Sequence, residues 1–296
     1  MCKSVQEYLD KLKKELGRSA DPALIQDALS DAETHLRIAL DEEKSKSPGL
    51  SEAELLIPIV AKYGAPAEVA AAYLAMEPHI FPIREQPPHP DTRSLLSKIF
   101  AVLADSRAWS AFFYMLLAFV TGILFGGWAI LGGIVSAGSL IFIIGLPLFG
   151  LFLLSIRGIA LLEGRIVEAL LGVRMPRRPL FVQKGLTWSD RYIALVKDKY
   201  SWRALLYAAM LFPLGLIYTS LFSLLFVFSL SFITSPVLEL IFRLPLDLFG
   251  DDVFTPVWFL PVVFIAGLLL LPLTLHLARL VGRLHGRFAK AMLVRK

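Results

Sequence analysis

No Asp, Glu, Lys or Arg interrupts the chain from Ala108 to Ile156, a run of 49 residues. A second uncharged run covers Ala204–Leu238, and a third, broken only by His276, covers Val253–Ala278. A bilayer core takes about 20 apolar residues per helical crossing. The first run is therefore long enough for two crossings and a tight turn, and each of the others for one. Water cannot satisfy the backbone at that depth, so helices are the expected spanning form. The pattern predicts an all-α protein: a small helical domain followed by a four-transmembrane-helix bundle.

The first 90 residues follow a different rhythm. Val5, Tyr8, Leu9, Leu12 and Leu16 recur at helical spacing and predict a first helix with one apolar stripe. Asp21-Pro22 supplies an N-cap and a proline at the first helical position, opening a second helix that carries Ile25, Ala28, Leu29, Ala32, Leu36 and Leu40 inward. Ser51-x-x-Glu54 is a capping box that opens a third helix, in which Pro58 introduces a kink or a late start. Gly64 fits the position after that helix, and Ala65-Pro66 begins a fourth through Leu74. Prolines at 78, 82, 87, 88 and 90 then predict an extended linker. The expected domains are 1–76, a linker at 77–91, and two membrane units at 92–178 and 179–296.

Composition sharpens this division. Hydrophobic residues make up 56% of the chain and charged residues 19%, which departs from soluble averages toward a membrane class. Residues 1–107 carry a net charge of −4 and residues 108–296 a net of +9. The basic excess thus belongs to the membrane half, where it fits orientation and anionic headgroups and gives no reason to expect nucleic-acid binding. Cys2 is the single cysteine, so no intramolecular disulfide forms, in keeping with a reducing cytoplasm.

The membrane half contains a repeat. Asp105, Trp109, Ala111, Tyr114, Phe119 and Gly122 match Asp198, Trp202, Ala204, Tyr207, Phe212 and Gly215 at an offset of 93. Arg157, Glu163-Gly164-Arg165 and Ala169 meet Arg279, His285-Gly286-Arg287 and Ala291 at an offset of 122. Each unit reads as a lead-in, two crossings and a basic amphipathic exit helix, and the two hairpins are expected to be parallel repeats about an axis along the membrane normal. Trp109, Tyr114, Trp202 and Tyr207 are expected as interfacial anchors. Arg157–Arg203 carries ten basic residues, and the tail after Ala278 carries six with no acid. The facing loop, near 233–255, has Arg243 against Glu239, Asp247, Asp251 and Asp252. The positive-inside rule therefore places both termini in the cytoplasm of a multi-pass inner-membrane protein.

Two resemblances follow from these residues. Glu7-Tyr8-Leu9-x-x-Leu12, Asp31-Ala32-Glu33-x-His35-Leu36 and Lys62-Tyr63-Gly64-Ala65-Pro66-x-Glu68-Val69-Ala70 resemble the HAAS signalling domain, related to the DUF1700 membrane proteins, over about residues 4–76. That likeness implies a cytoplasmic head with a protein partner, of the class of PadR-type transcription regulators, and no catalysis. Ile144-Gly145-Leu146-Pro147-Leu148, Leu162-Glu163-Gly164-Arg165 and Asp198-x-x-x-Trp202-Arg203-x-Leu205-Leu206-Tyr207, with Phe212-Pro213-Leu214-Gly215, resemble the "putative sensor" membrane domain of bacterial sensor proteins over about residues 105–294. His285 departs from the pattern by standing where the first unit has Glu163.

Candidate chemistry is sparse. The sequence has no P-loop, dinucleotide motif, nucleophile constellation or paired-histidine motif, so no enzyme, cofactor or metal is expected. Glu239, Asp247, Asp251 and Asp252 are candidates for sensing a cation, a cationic peptide or an altered lipid surface, against the plainer reading of a solvated loop. Arg157, Arg165, Arg279, Arg283 and Arg287 are candidates for contact with the anionic inner leaflet. The expected function is a non-enzymatic membrane sensor or adaptor, with homo-oligomerisation left open. The alternative is a small transporter or lipid-handling protein that uses the groove between the repeats.

Overall fold

Residues 4–17, 21–47, 49–80, 94–142, 145–177, 188–242, 246–248, 251–253 and 256–294 are described by the computed structural model. The first four helices form the head: α1 (Val5–Leu16), α2 (Pro22–Lys46), α3 (Glu52–Tyr63) and α4 (Pro66–Ile80). Ser4 and Asp21 cap α1 and α2 through their side-chain oxygens, and Ser51 and Glu54 make both bonds of the capping box on α3. Pro58 is accommodated inside α3. The stripe Val5, Tyr8, Leu9, Leu12 and Leu16 is buried against Ala28, Ala32, Leu36, Leu56 and Ile59. Tyr8 donates its hydroxyl to Gly64 O at 2.8 Å, Tyr73 donates to Asp31 Oδ2 at 3.2 Å, and His35 stacks on Tyr63. Tyr8, Leu9, Leu12, Ala32, Leu36 and Ala70, among the residues that carry the head's resemblance, are thus core residues. The linker expected from Glu77 begins later, because α4 runs on to Ile80; its remainder, 81–91, lies outside the described residues.

After α5 (Leu95–Ala101) comes α6 (Ser106–Thr121), which passes through a π-helical turn at Gly122–Gly126 into α7 (Gly127–Gly138). Next are α8 (Gly145–Leu171), α9 (Trp188–Lys197), α10 (Lys199–Phe242) and α11 (Leu260–Leu293). Between α10 and α11 lie the only described strands, β1 (Leu246–Leu248) and β2 (Asp251–Val253), an antiparallel ribbon that the all-helical expectation did not include. Ser106–Ile141, Gly145–Leu171, Lys199–Phe242 and Leu260–Leu293 are long and apolar enough to cross a membrane. Glu52–Met76 also meets that threshold but is not one rod: at Gly64, φ 112° breaks it into the two capped helices α3 and α4.

The expected exit helices are not separate elements. They are the C-terminal parts of α8 and α11, continuous with the apolar segments before them. At about 1.5 Å per residue the 44 residues of α10 extend about 66 Å, roughly twice a hydrocarbon core of about 30 Å. Such helices must tilt or project beyond the bilayer.

Glycines set how these helices meet. A Cβ on Gly122 would stand 2.6 Å from Leu211 O, and one on Gly215 would stand closer still to Ala118 O. Only hydrogen at these positions lets the two backbones touch, as in close-packed membrane helix pairs. Along the seam Trp109 meets Phe226, Phe112 meets Phe222, Thr219 Oγ1 donates to Met115 O at 2.9 Å, and Gly126 meets Ala208. Rising numbers on α6 meet falling numbers on α10. The parallel side-by-side arrangement of the two lead helices is therefore corrected at this contact, where they run in opposite senses. Gly122 against Leu211 and Gly215 against Ala118 form a matched pair only in that geometry.

Candidate functional site: a polar cluster where four helices meet

Four helices built around long apolar runs bring polar side chains to one point. Tyr114 from α6, Glu163 from α8 and His285 from α11 are 0%, 0% and 2% exposed. The Tyr114 hydroxyl lies 2.8 Å from Glu163 Oε1, to which it donates, and 2.6 Å from His285 Nε2. Tyr207 and Tyr218, both from α10, place their hydroxyls 3.2 Å from Nε2 and 3.3 Å from Nδ1 of the same ring. Phe288 closes the ring's edge. Glu163 Oε2 is buried with no hydrogen-bond partner among the described residues. A buried carboxyl oxygen without a donor is costly if the group is ionised.

A second layer surrounds this cluster. Arg157 donates to Asp198 Oδ2 at 2.7 Å and to Ser201 Oγ at 2.8 Å, and it faces the Tyr200 ring. Arg279 pairs with Asp105 at 3.1 Å. Trp109 Nε1 donates to Leu103 O at 2.9 Å, and Trp202 Nε1 donates to Val196 O at 2.7 Å. Members of these pairs stand 93 or 122 residues from their counterparts, as do Tyr114 from Tyr207 and Glu163 from His285. Arg157 and Arg279 each grip the aspartate that begins the other unit's lead helix.

The head is attached at this end. Ala23 joins the hydrophobic core of the membrane half. Asp27 Oδ1 accepts the Arg177 backbone N–H at 2.6 Å, and Asp21 pairs with Lys290. Arg177 follows α8 and Lys290 lies in the last turn of α11, so the first turns of α2 bridge the ends of the helices that carry Glu163 and His285. Gly286 and Gly282 of α11 receive Val173 and Leu171, closing the contact between those ends. Arg203 adds a brace from α10 by donating to Ala291 O and Val294 O, the carbonyls at the end of α11.

The residues singled out from sequence fall into three groups. Tyr114 and Tyr207, expected at the bilayer surface, are core residues, because their hydroxyls have partners on neighbouring helices. Trp109 is half-buried against Phe112 and Phe226, and Trp202 is 46% exposed. Arg157, expected on lipid, is buried by Asp198 and Ser201. Arg165 pairs with Glu168 on the surface, Arg279 is partly exposed, and Arg283 and Arg287 are exposed. The acidic set does not share one loop. Glu239 is a buried residue of α10, whereas Asp247, Asp251 and Asp252 belong to the ribbon, with Asp247 opposite Asp252. No metal-ligand cluster forms among the described residues.

In the sequence, Glu163 and His285 stand outside every candidate site. The signal was the offset of 122, which aligns an acid with a base in helices that have few other polar groups. Tyr218 carried no such mark.

The family described as "Putative sensor" matches residues 114–293, a span that begins at Tyr114 and takes in the whole polar cluster. No curated protein matches the chain, and no solved structure does.

Proposed function

The chain belongs to the "Putative sensor" family, and from that membership we propose that it is a non-enzymatic membrane sensor or signalling adaptor. Its two membrane units are duplicated hairpins of four crossings in all. They share a polar layer built from Tyr114, Glu163, Tyr207, Tyr218 and His285. The head and both termini lie at the cytoplasmic face of the inner membrane. Positive-inside charge supports this orientation. The exposed Arg165, Arg283 and Arg287 then meet anionic headgroups.

One observation carries the coupling. Helix α2 of the head is held by Arg177 beyond α8 and by Lys290 of α11 together. A stimulus that shifts one hairpin against the other changes the seat of the head. The HAAS-like head converts that shift into altered contact with a cytoplasmic protein, of the class of PadR-type regulators. Such coupling requires a stimulus that binds two arrangements with different affinity.

The test is co-purification of the full chain from membranes, compared with a chain lacking residues 1–76. A cytoplasmic protein retained only by the full chain supports the reading. Failure to retain any head-dependent protein, together with lipid transfer between vesicles that persists without the head, would replace it with a lipid-handling function.

A further inference from the structure

We propose that Glu163, Tyr114 and His285 form a binding site for one exchangeable proton, and that its occupancy sets how α8 and α11 hold the head. The site needs no cavity, since its ligand occupies a hydrogen bond. Its groups come from every helix packed around it: Tyr114 on α6, Glu163 on α8, Tyr207 and Tyr218 on α10, and His285 on α11. The nearby arginines are engaged elsewhere, Arg157 by Asp198 and Ser201 and Arg203 by the end of α11.

The proton count is definite. In the loaded site the bond between Tyr114 and Glu163 is reversed: Glu163 Oε1–H donates to the Tyr114 oxygen, Tyr114 O–H donates to His285 Nε2, and Nδ1–H donates to the Tyr218 oxygen. Every member is neutral. A concerted hop breaks the Oε1–H bond as a new O–H forms on Tyr114. The former Tyr114 O–H breaks as Nε2–H forms. The product is a carboxylate beside an imidazolium, with the same number of protons. Release of one proton from Nδ1 to water, with Tyr218 turning to donate, leaves a carboxylate and a neutral imidazole.

That empty state is the unstable one. Glu163 then carries a buried charge beside the Tyr114 and Tyr207 hydroxyls, with no donor on Oε2 among the described residues. An unpaired buried carboxylate draws water or another donor toward itself. Room for either opens only by separating α8 from α6 or α11. Loading favours the closed arrangement, and emptying favours an open one. Because α2 spans the ends of both α8 and α11, opening disturbs its seat. This consequence rests on the sensor reading, whereas the existence of the proton site does not.

Two measurements on the full chain in phospholipid nanodiscs separate these points. Infrared difference spectra across a pH titration are expected to show a protonated-carboxyl stretch that is lost in E163Q and shifted in Y114F. A spectrum without such a band, or a band unchanged in E163Q, overturns the proton site. Hydrogen exchange in residues 22–28, corrected for its intrinsic pH dependence, should respond to pH in the parent chain and lose that response in E163Q. An intact infrared result with a head indifferent to pH overturns the link to α2. Loss of every head-dependent partner would end the sensor reading and leave the infrared result standing.

Discussion

Gly215 and Gly133 both sit inside apolar helices, yet a methyl group means opposite things at the two positions. At Gly215 a Cβ would press into the Ala118 carbonyl, which belongs to another helix's backbone and cannot rotate away. Gly215→Ala should destabilise the protein by about 1–3 kcal/mol, the usual cost of overpacking. At Gly133 the nearest atom is 3.5 Å away, an ordinary contact. Gly133→Ala should be neutral or stabilise by up to about 1 kcal/mol through lost backbone entropy. Thermal unfolding in detergent would read both. Glu54 gives a residue-scale pH dependence. Hydrogen bonds from the Ser51 backbone and hydroxyl hold its carboxyl below the usual range. A depressed acid contributes stability that is complete above its unfolded value and is lost as pH falls through the folded one. Acidification should therefore loosen the start of α3, and Glu54→Gln should flatten that part of the response, as measured by exchange of the Glu54 and Leu55 amides.

At the scale of elements, two ion pairs of the same kind join exit segments to lead helices in different surroundings. The Arg157 and Asp198 side chains are 6% and 18% exposed, against 42% and 24% for Arg279 and Asp105. Removing one partner of a buried pair strands the other, at a cost of about 3–5 kcal/mol. An exposed pair contributes about 1 kcal/mol or less. Arg157→Ala should unfold the membrane half at a markedly lower temperature, and Arg279→Ala should change it little. Equal effects from the two substitutions would contradict the burial described here. The π-helical turn at Gly122–Gly126 belongs to the same scale. It lies at the α6–α10 seam, where Gly122 and Gly126 admit the backbone around Leu211 and Phe212.

For the whole molecule, the attachment of the head decides whether the membrane half can communicate with it. Asp27 is buried at that contact, while the Asp21–Lys290 pair is about one-quarter exposed on each side. Asp27→Ala combined with Lys290→Ala should raise hydrogen exchange in the first turns of α2 about tenfold, the factor that corresponds to about 1.4 kcal/mol. Exchange in α1 should stay unchanged, because its core is internal to the head. Raising the salt concentration should reproduce part of the effect through Lys290 alone.

What the sequence determined by itself is local. Uncharged runs of sufficient length specify apolar helices, and Asp21 and Ser51 specify where two head helices begin, because caps and periodicity act over three or four residues. The repeated residues also marked the positions that later met, without saying what they met. Tyr114, Tyr207 and Arg157 looked like surface groups because aromatic and basic residues near the end of an apolar run suit an interface. Their burial depends on partners far along the chain: Glu163 is 49 residues from Tyr114, His285 is 171, and Ser201 is 44 from Arg157. The sense of the α6–α10 crossing and the seat of the head are decided in the same way. Each depends on which surfaces fit in three dimensions, and hydrophobic spacing along one helix carries no record of its neighbour's direction.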